Sequence, residues 1–270
     1  GGGMKANFVM EGDLAPNDGT AAGFAFRRQS TIGLAGKFGE VRLGRDYTPQ
    51  FWTLTAYDPF GTVGVGTNIA MTGGIPAANF TGVRASNSIG YLSPSFNGVA
   101  LWAQTYMGEN KSDAAAGKKT GSGNGLRLSY DNGPLSLAAA YSDNDVALNT
   151  KWKATNVAGS YNFGVAKVMA VISTDKQTGQ SDVKGYLLGA TAPVGANGLA
   201  KFSYSEGKQD GNKADKIAVG YVHSLSKRTS LYGTYASVKN NGTSAVALGG
   251  ATGVAGKTST GFDLGVTHSF

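Results

Sequence analysis

"RRQSTIGLAGKFGEVRLGRDY", residues 27–47, decides the fold. Apolar side chains recur at every second position through Ile32 and Leu34, and again through Val41 and Leu43. Glycine, small polar residues and arginine stand between them, and only Lys37 and Phe38 separate the two runs. A period of two over that length predicts β-strands with one apolar and one polar face. The short break predicts an antiparallel hairpin.

The same pattern repeats along the chain. Segments bounded by Gly, Asn, Asp, Ser and Pro predict fourteen strands, near 3–13, 25–36, 39–47, 84–93, 98–108, 122–132, 135–143, 151–163, 165–174, 183–193, 197–206, 214–225, 228–238 and 259–270. Helical periodicity is nearly absent. Short connections fall at 37–38, 95–98, 132–134, 164, 194–197 and 226–227. Longer polar ones fall at 14–24, 48–83, 109–121, 144–150, 175–182, 207–213 and 239–258. Alternating short turns and long loops suit an up-and-down barrel crossing a membrane, with one rim of each kind. Most strands are long enough to cross hydrocarbon at a tilt, whereas soluble strands average about five or six residues. Aromatic residues near strand ends (Phe8, Tyr47, Tyr91, Tyr106, Tyr130, Tyr141, Tyr161, Phe163, Tyr204, Tyr221 and Phe270) are expected to form girdles at the membrane interfaces.

Composition agrees. Glycine is 42 of 270 residues, over twice the usual share of about 7%, and charged residues are 15%, where about 25% is usual. No apolar run is long enough for a transmembrane helix. There is no cysteine, and the net charge of +7 is scattered without a basic run, which argues against nucleic acid as a partner. The two histidines, His223 and His268, lie beside no plausible Ser–acid pair and form no ligand pair, so neither an enzyme nor a metal site is expected, and no cofactor is implied. A soluble β-sandwich adhesin or lectin is the alternative that alternation alone leaves open.

Four segments carry a family resemblance: "RRQSTIGLAGKFGEVRLGRDYTP" at 27–49, "YDPFG" at 57–61, "RASNSIGYLSPSFNG" at 84–98 and "GFDLGVTHSF" at 261–270. With the strand order they resemble the general porins of Gram-negative bacteria, especially the beta-proteobacterial type, across essentially the whole chain. The resemblance implies an all-β, antiparallel transmembrane barrel of sixteen strands. It implies a homotrimer in the bacterial outer membrane, in contact with lipid and lipopolysaccharide. It also implies delivery by the outer-membrane assembly machinery, which reads a terminal aromatic signal that Phe270 fits. The opening "GGGMKANFVMEG" is similar to the turn after the family's second strand, so two further strands are expected before Gly1. Residues 1–270 are expected to form a single barrel domain, with 48–83 folded into the lumen as a constriction loop.

That loop carries one ionisable acid or base, Asp58. Opposite such a loop the family places arginines. Arg28 and Arg84 match two of those positions, and Arg42 is inward by phase. Arg28 falls in the outward phase of Ile32 and Leu34, so either it sits near a rim or, the preferred reading, a bulge at Gly33 resets it. Arg45 also falls outward and is expected at a rim. Other residues expected to face the lumen are Lys5, Glu11, Arg127, Lys167, Lys201 and Lys216. Arginine and lysine rings select anions. The expected function is a general diffusion channel for small hydrophilic solutes with anion preference. A substrate-specific porin is the runner-up, set second because no aromatic ladder is visible in the sequence.

Overall fold

A computed structural model of the chain describes residues 2–12, 26–72, 82–111, 115, 117–249 and 251–270. All fourteen expected strands are present: β1 (Lys5–Glu11), β2 (Gln29–Gly36), β3 (Gly39–Tyr47), β4 (Arg84–Leu92), β5 (Val99–Tyr106), β6 (Gly123–Asn132), β7 (Leu135–Ala147), β8 (Thr150–Asn162), β9 (Lys167–Gln177), β10 (Val183–Val194), β11 (Gly198–Gln209), β12 (Asn212–Ser224), β13 (Thr229–Asn241) and β14 (Thr258–His268). They form one sheet in sequence order, each strand antiparallel to the next, with β1 and β14 at its two ends. The opening hairpin pairs Ile32 with Leu43 and Leu34 with Val41 about the Lys37–Phe38 turn. The expected loop at 14–24 lies outside the described residues.

Among the described residues two helices interrupt the all-β pattern, both between β3 and β4: α1 (Pro49–Ala56) and α2 (Ile69–Thr72). Sequence periodicity missed them because each is too short to show a stripe. Pro49 supplies the preset φ that suits the first turn of α1. In the same region, α1 packs on β5 to β8, and α2 on β9 to β12. The sheet therefore curls around the 49–72 segment.

The two faces separate cleanly. Phe8, Ile32, Leu43, Leu126, Leu128, Val157, Ile172, Leu188, Phe202, Val219, Phe262 and Leu264 all stand exposed on the outward face. So continuous an apolar surface matches hydrocarbon, not water. Inward positions hold Ala, Ser and Gly, as at Ala138, Ala158, Ser203, Ser205, Ala214, Ala218 and Ala236, all buried.

Three sequence expectations need correction. Residues 144–150 and 207–213 are not long loops. β7 and β8 meet at Leu148–Asn149, and β11 and β12 at Asp210–Gly211, where both residues have positive φ (51° and 74°). That Asp-Gly pair is the usual sequence signal for a two-residue hairpin turn. The strands looked shorter because charges enter the outward face near their loop ends. The ladder continues because the charges pair across it, Lys151 with Asp143 at 3.0 Å and Lys213 with Glu206 at 2.6 Å and Asp215 at 2.9 Å.

Second, Gly33 is no bulge: the β1–β2 and β2–β3 registers run through it unbroken. Arg28 precedes β2 and reaches its partners from the strand's loop end. The register shift lies instead between β3 and β4, where Gly44 pairs with Ser88 but Asp46 with Ala85. Asn87 takes a positive φ of 50° there. The extra residue turns Ala85 inward and sets Arg84 opposite Tyr47.

Third, two expected girdle residues are elsewhere. Tyr106 is buried on the inward face and donates to Asn144 Oδ1. Tyr47 sits at the arginine cluster described below. Girdle pairs do occur on the outward face, with Tyr161 and Phe163 ring centroids at 4.6 Å and Tyr186 and Tyr204 at 5.9 Å.

If the outward face meets acyl chains, Ile172→Arg, a 66% exposed mid-strand position, will cost about 2–4 kcal/mol of folding free energy in lipid vesicles. Urea titration of vesicle-inserted protein reads this; a cost below about 0.5 kcal/mol, usual for a water-exposed surface site, would place that face in water.

Candidate functional site

The 49–72 segment is fastened to the inward wall by two apolar patches. Leu54 and Tyr57 pack against Ala138, Ala158, Val171 and Leu187. Phe60, Val65 and Met71 pack against Ala214, Ala218, Ala236, Val238 and Leu248. Fully burying side chains of this size contributes roughly 1.5–3 kcal/mol each. The wall makes room with glycine. A Cβ on Gly185 would overlap the Met71 carbonyl oxygen, and one on Gly189 would overlap Pro59 Cγ.

Polar bonds fix the segment's register. Tyr57 Oη and Ser136 Oγ are 2.8 Å apart, and Asn156 Nδ2 donates to the Gln50 carbonyl at 3.2 Å. Asp263 Oδ2 on β14 accepts from the Val65 amide at 2.6 Å. At the centre, Asn68 is fully buried and bridges loop to wall. Its amide and Nδ2 donate to Asp58 at 2.9 Å each, and its Oδ1 accepts from Ser205 Oγ at 2.8 Å.

Asp58, expected at the constriction, is thus a clamp within the loop. It is 6% exposed and also accepts from the Phe60 amide at 2.9 Å. Burial pushes its carboxyl above the usual carboxylate range, against the pull of its donors and of the Lys216 charge. Lys216 is inward as expected but is covered by the loop: it is 2% exposed and its Nζ donates to the Thr67 carbonyl. Lys201 lies on the inward face with Nζ 5.8 Å from the Phe60 ring centroid.

The arginines gather around Tyr47. Arg28 and Arg84 both donate to Tyr47 Oη, at 3.3 and 3.1 Å, and the Arg84 guanidinium stands 4.7 Å over the Tyr47 ring. Arg28 also pairs with Glu11 at 2.5 Å, so two expected lumen residues neutralise one another. Arg45 lies beside them, donating to the Arg27 carbonyl at 2.6 Å and to Ser86 Oγ at 2.8 Å. Arg42 pairs with Glu40 at 3.1 Å and Asp46 at 2.9 Å. Arg127 differs: its Nε donates to Thr53 Oγ1 on α1 at 3.2 Å, and among the described residues it has no carboxylate partner within salt-bridge distance. Arg42, Arg127, Tyr47, Asp46 and Ser129 line one cavity of about 350 Å³ between α1 and the wall. Lys5 and Lys167 take inward register positions on β1 and β9, opposite Ala35 and Thr191, remote from that cavity.

An inserted loop on the inner wall of an outwardly apolar, up-and-down sheet is the geometry against which known proteins can be compared. The family model for Gram-negative porins matches residues 1–243. This chain belongs to that family. Outer membrane porin protein 32 of Delftia acidovorans is 39% identical over 286 residues, an alignment covering all of this chain and 81% of that protein. An outer membrane porin protein of Bordetella pertussis is 28% identical, covering 87% of this chain and 74% of its own. The structure titled an anion-selective porin from Comamonas acidovorans superposes with a TM-score of 0.91 at 38% identity, covering all of this porin and 86% of that chain. OmpF of Salmonella typhi shares the fold at 16% identity, with a TM-score of 0.70 over 99% of this chain and 86% of its own.

What sequence reasoning missed in this porin is aromatic. Tyr47 and Phe51 stack at 5.5 Å, Tyr47 and Trp52 lie 5.8 Å apart, and Trp52 meets Trp102 edge-on at 6.4 Å. Trp52 and Trp102 line the same cavity as Arg127. The cluster joins β3, α1 and β5. "YTPQFW" at 47–52 was its only local signal, and the Trp102 partner is distant in sequence.

Gly189→Leu will drive a side chain into Pro59 and lift the loop, and overpacking of this kind costs about 1–3 kcal/mol. Single-channel conductance will fall in planar bilayers, because the loop is pushed toward the open side of the lumen; unchanged conductance with normal folding would mean that this contact does not set the bore.

Proposed function

We propose that this porin is an outer-membrane general diffusion channel, homotrimeric, that passes small hydrophilic solutes and favours anions. The lumen narrows between the 49–72 segment and the β3–β6 wall. Its constriction is the arginine group Arg28, Arg42, Arg84 and Arg127, with Lys201 further round the wall. The observation that carries this reading is Arg127, a cation held against the loop by Thr53, with no carboxylate within salt-bridge distance among the described residues and Asp131 as its more distant acid. Ion pairing ranks Arg28 and Arg42 below it, while Arg84, which likewise has no carboxylate within salt-bridge distance among the described residues, lies over Tyr47. Arg42 and Arg28 have carboxylates at hand, so their net field at a permeating ion is small. Asp58 is buried within the loop with its oxygens bonded there, so it does not face a permeating ion directly.

The name of the Comamonas structure supports the anion preference, and the family supports the channel. Contact with lipopolysaccharide fits the outward lysines at the loop ends, Lys151, Lys153, Lys176 and Lys208, which stand where phosphorylated headgroups would lie. Phe270, exposed beyond β14 and edge-on to His268 at 4.8 Å, is the proposed assembly signal.

Reversal potentials in a KCl gradient test the reading. Arg127→Gln will lower the chloride-over-potassium permeability ratio by about fivefold, which corresponds to about 1 kcal/mol of local potential. Arg28→Gln will lower it less, because it also releases Glu11. Equal effects, or none, would remove Arg127 from the constriction. On gels, unheated protein in SDS will run as a trimer and boiled protein as a monomer; a monomer band without heating would overturn the trimer.

A further inference from the structure

The helix α1 buries Phe51 and Leu54 against the wall yet leaves the Trp52 side chain 42% exposed. Water-exposed indole on a loop that otherwise packs so well calls for a reason. Trp52 shares its cavity with Arg127, whose guanidinium has no carboxylate within salt-bridge distance among the described residues, and with Tyr47 and Trp102. A volume of about 350 Å³ lies at the lower end for small-ligand pockets, roughly 300–1,000 Å³. Such pockets combine apolar walls with few, well-placed polar groups, which is the composition here.

We propose that this cavity is a subsite for planar aromatic carboxylates on their way through the pore. The carboxylate meets the Arg127 guanidinium, which offers paired N–H donors to a planar acid. The ring lies on the exposed face of Trp52, with Tyr47 and Trp102 completing the aromatic surround. Phe51, stacked behind Tyr47, and Thr53, bonded to Arg127 Nε, hold both contact groups in place. Binding is brief, because a conducting site must release what it captures. The inference rests on the anion-channel reading and adds a solute class to it.

The test uses the full-length trimer in planar bilayers, with benzoate, acetate and benzyl alcohol added in turn to KCl. Benzoate will interrupt the chloride current with dwell times roughly fivefold longer than acetate, the advantage of one aromatic contact. Benzyl alcohol, which has the ring without the charge, will cause no resolved block. Trp52→Ala will erase the benzoate advantage over acetate, and Trp52→Phe will restore most of it. Arg127→Gln will shorten dwell times for both acids. Tryptophan fluorescence quenching by benzoate in detergent, weakened in Trp52→Ala, reads binding apart from conduction. Equal dwell times for benzoate and acetate in the native channel, or a benzoate preference that survives Trp52→Ala, would overturn the subsite. Loss of chloride selectivity in the native channel would instead overturn the anion-channel reading itself.

Discussion

Every backbone polar group inside hydrocarbon needs a protein partner, since an unpaired one costs several kcal/mol there. The architecture follows from that constraint. Strands satisfy it only through neighbours, so they run in sequence order, each bonded to the next from β1 to β14. Their pleat then sends alternate side chains to lipid and to the interior. Leu128 and Arg127, adjacent in sequence, end up in different solvents.

The interior is organised by the loop between β3 and β4. In a soluble barrel, large side chains from the wall would fill the middle. Here the wall is trimmed to Ala, Ser and Gly, and the loop brings the large residues to it: Leu54, Tyr57, Phe60 and Met71. Packing on one side of the lumen leaves the other side open. Tyr47 stands at the boundary, the last residue of a strand and the first aromatic of the cluster that joins β3, α1 and β5. The β3–β4 bulge is what delivers Arg84 to it.

Most of the strand framework was legible because a period of two survives in sequence and turn residues mark its ends. Ile32, Leu34, Val41 and Leu43 were enough to set one hairpin's register. Legibility failed where a rule of faces was broken for a local reason. Asp145 and Lys213 looked like loop residues because a charge on the lipid side is unfavourable, yet each is paired and lies at the rim. The site was harder to read. Inward phase was correct for Arg42, Arg127, Lys201 and Lys216, but phase says nothing of partners. That Lys216 lies beneath Thr67 depends on the path of the loop, whereas Glu40 and Asp46 share the face of Arg42 on β3 and were within reach of the period-two reading. The Trp52–Trp102 meeting likewise needs the loop's path, which no local pattern encodes.

The two apolar patches under the loop are separate, with the Asp58–Asn68 clamp between them. Each half of the loop therefore has its own anchorage and can let go while the other holds. Detachment of this kind is stepwise, so thermal noise in an open channel would carry discrete sublevels in place of a smooth drift.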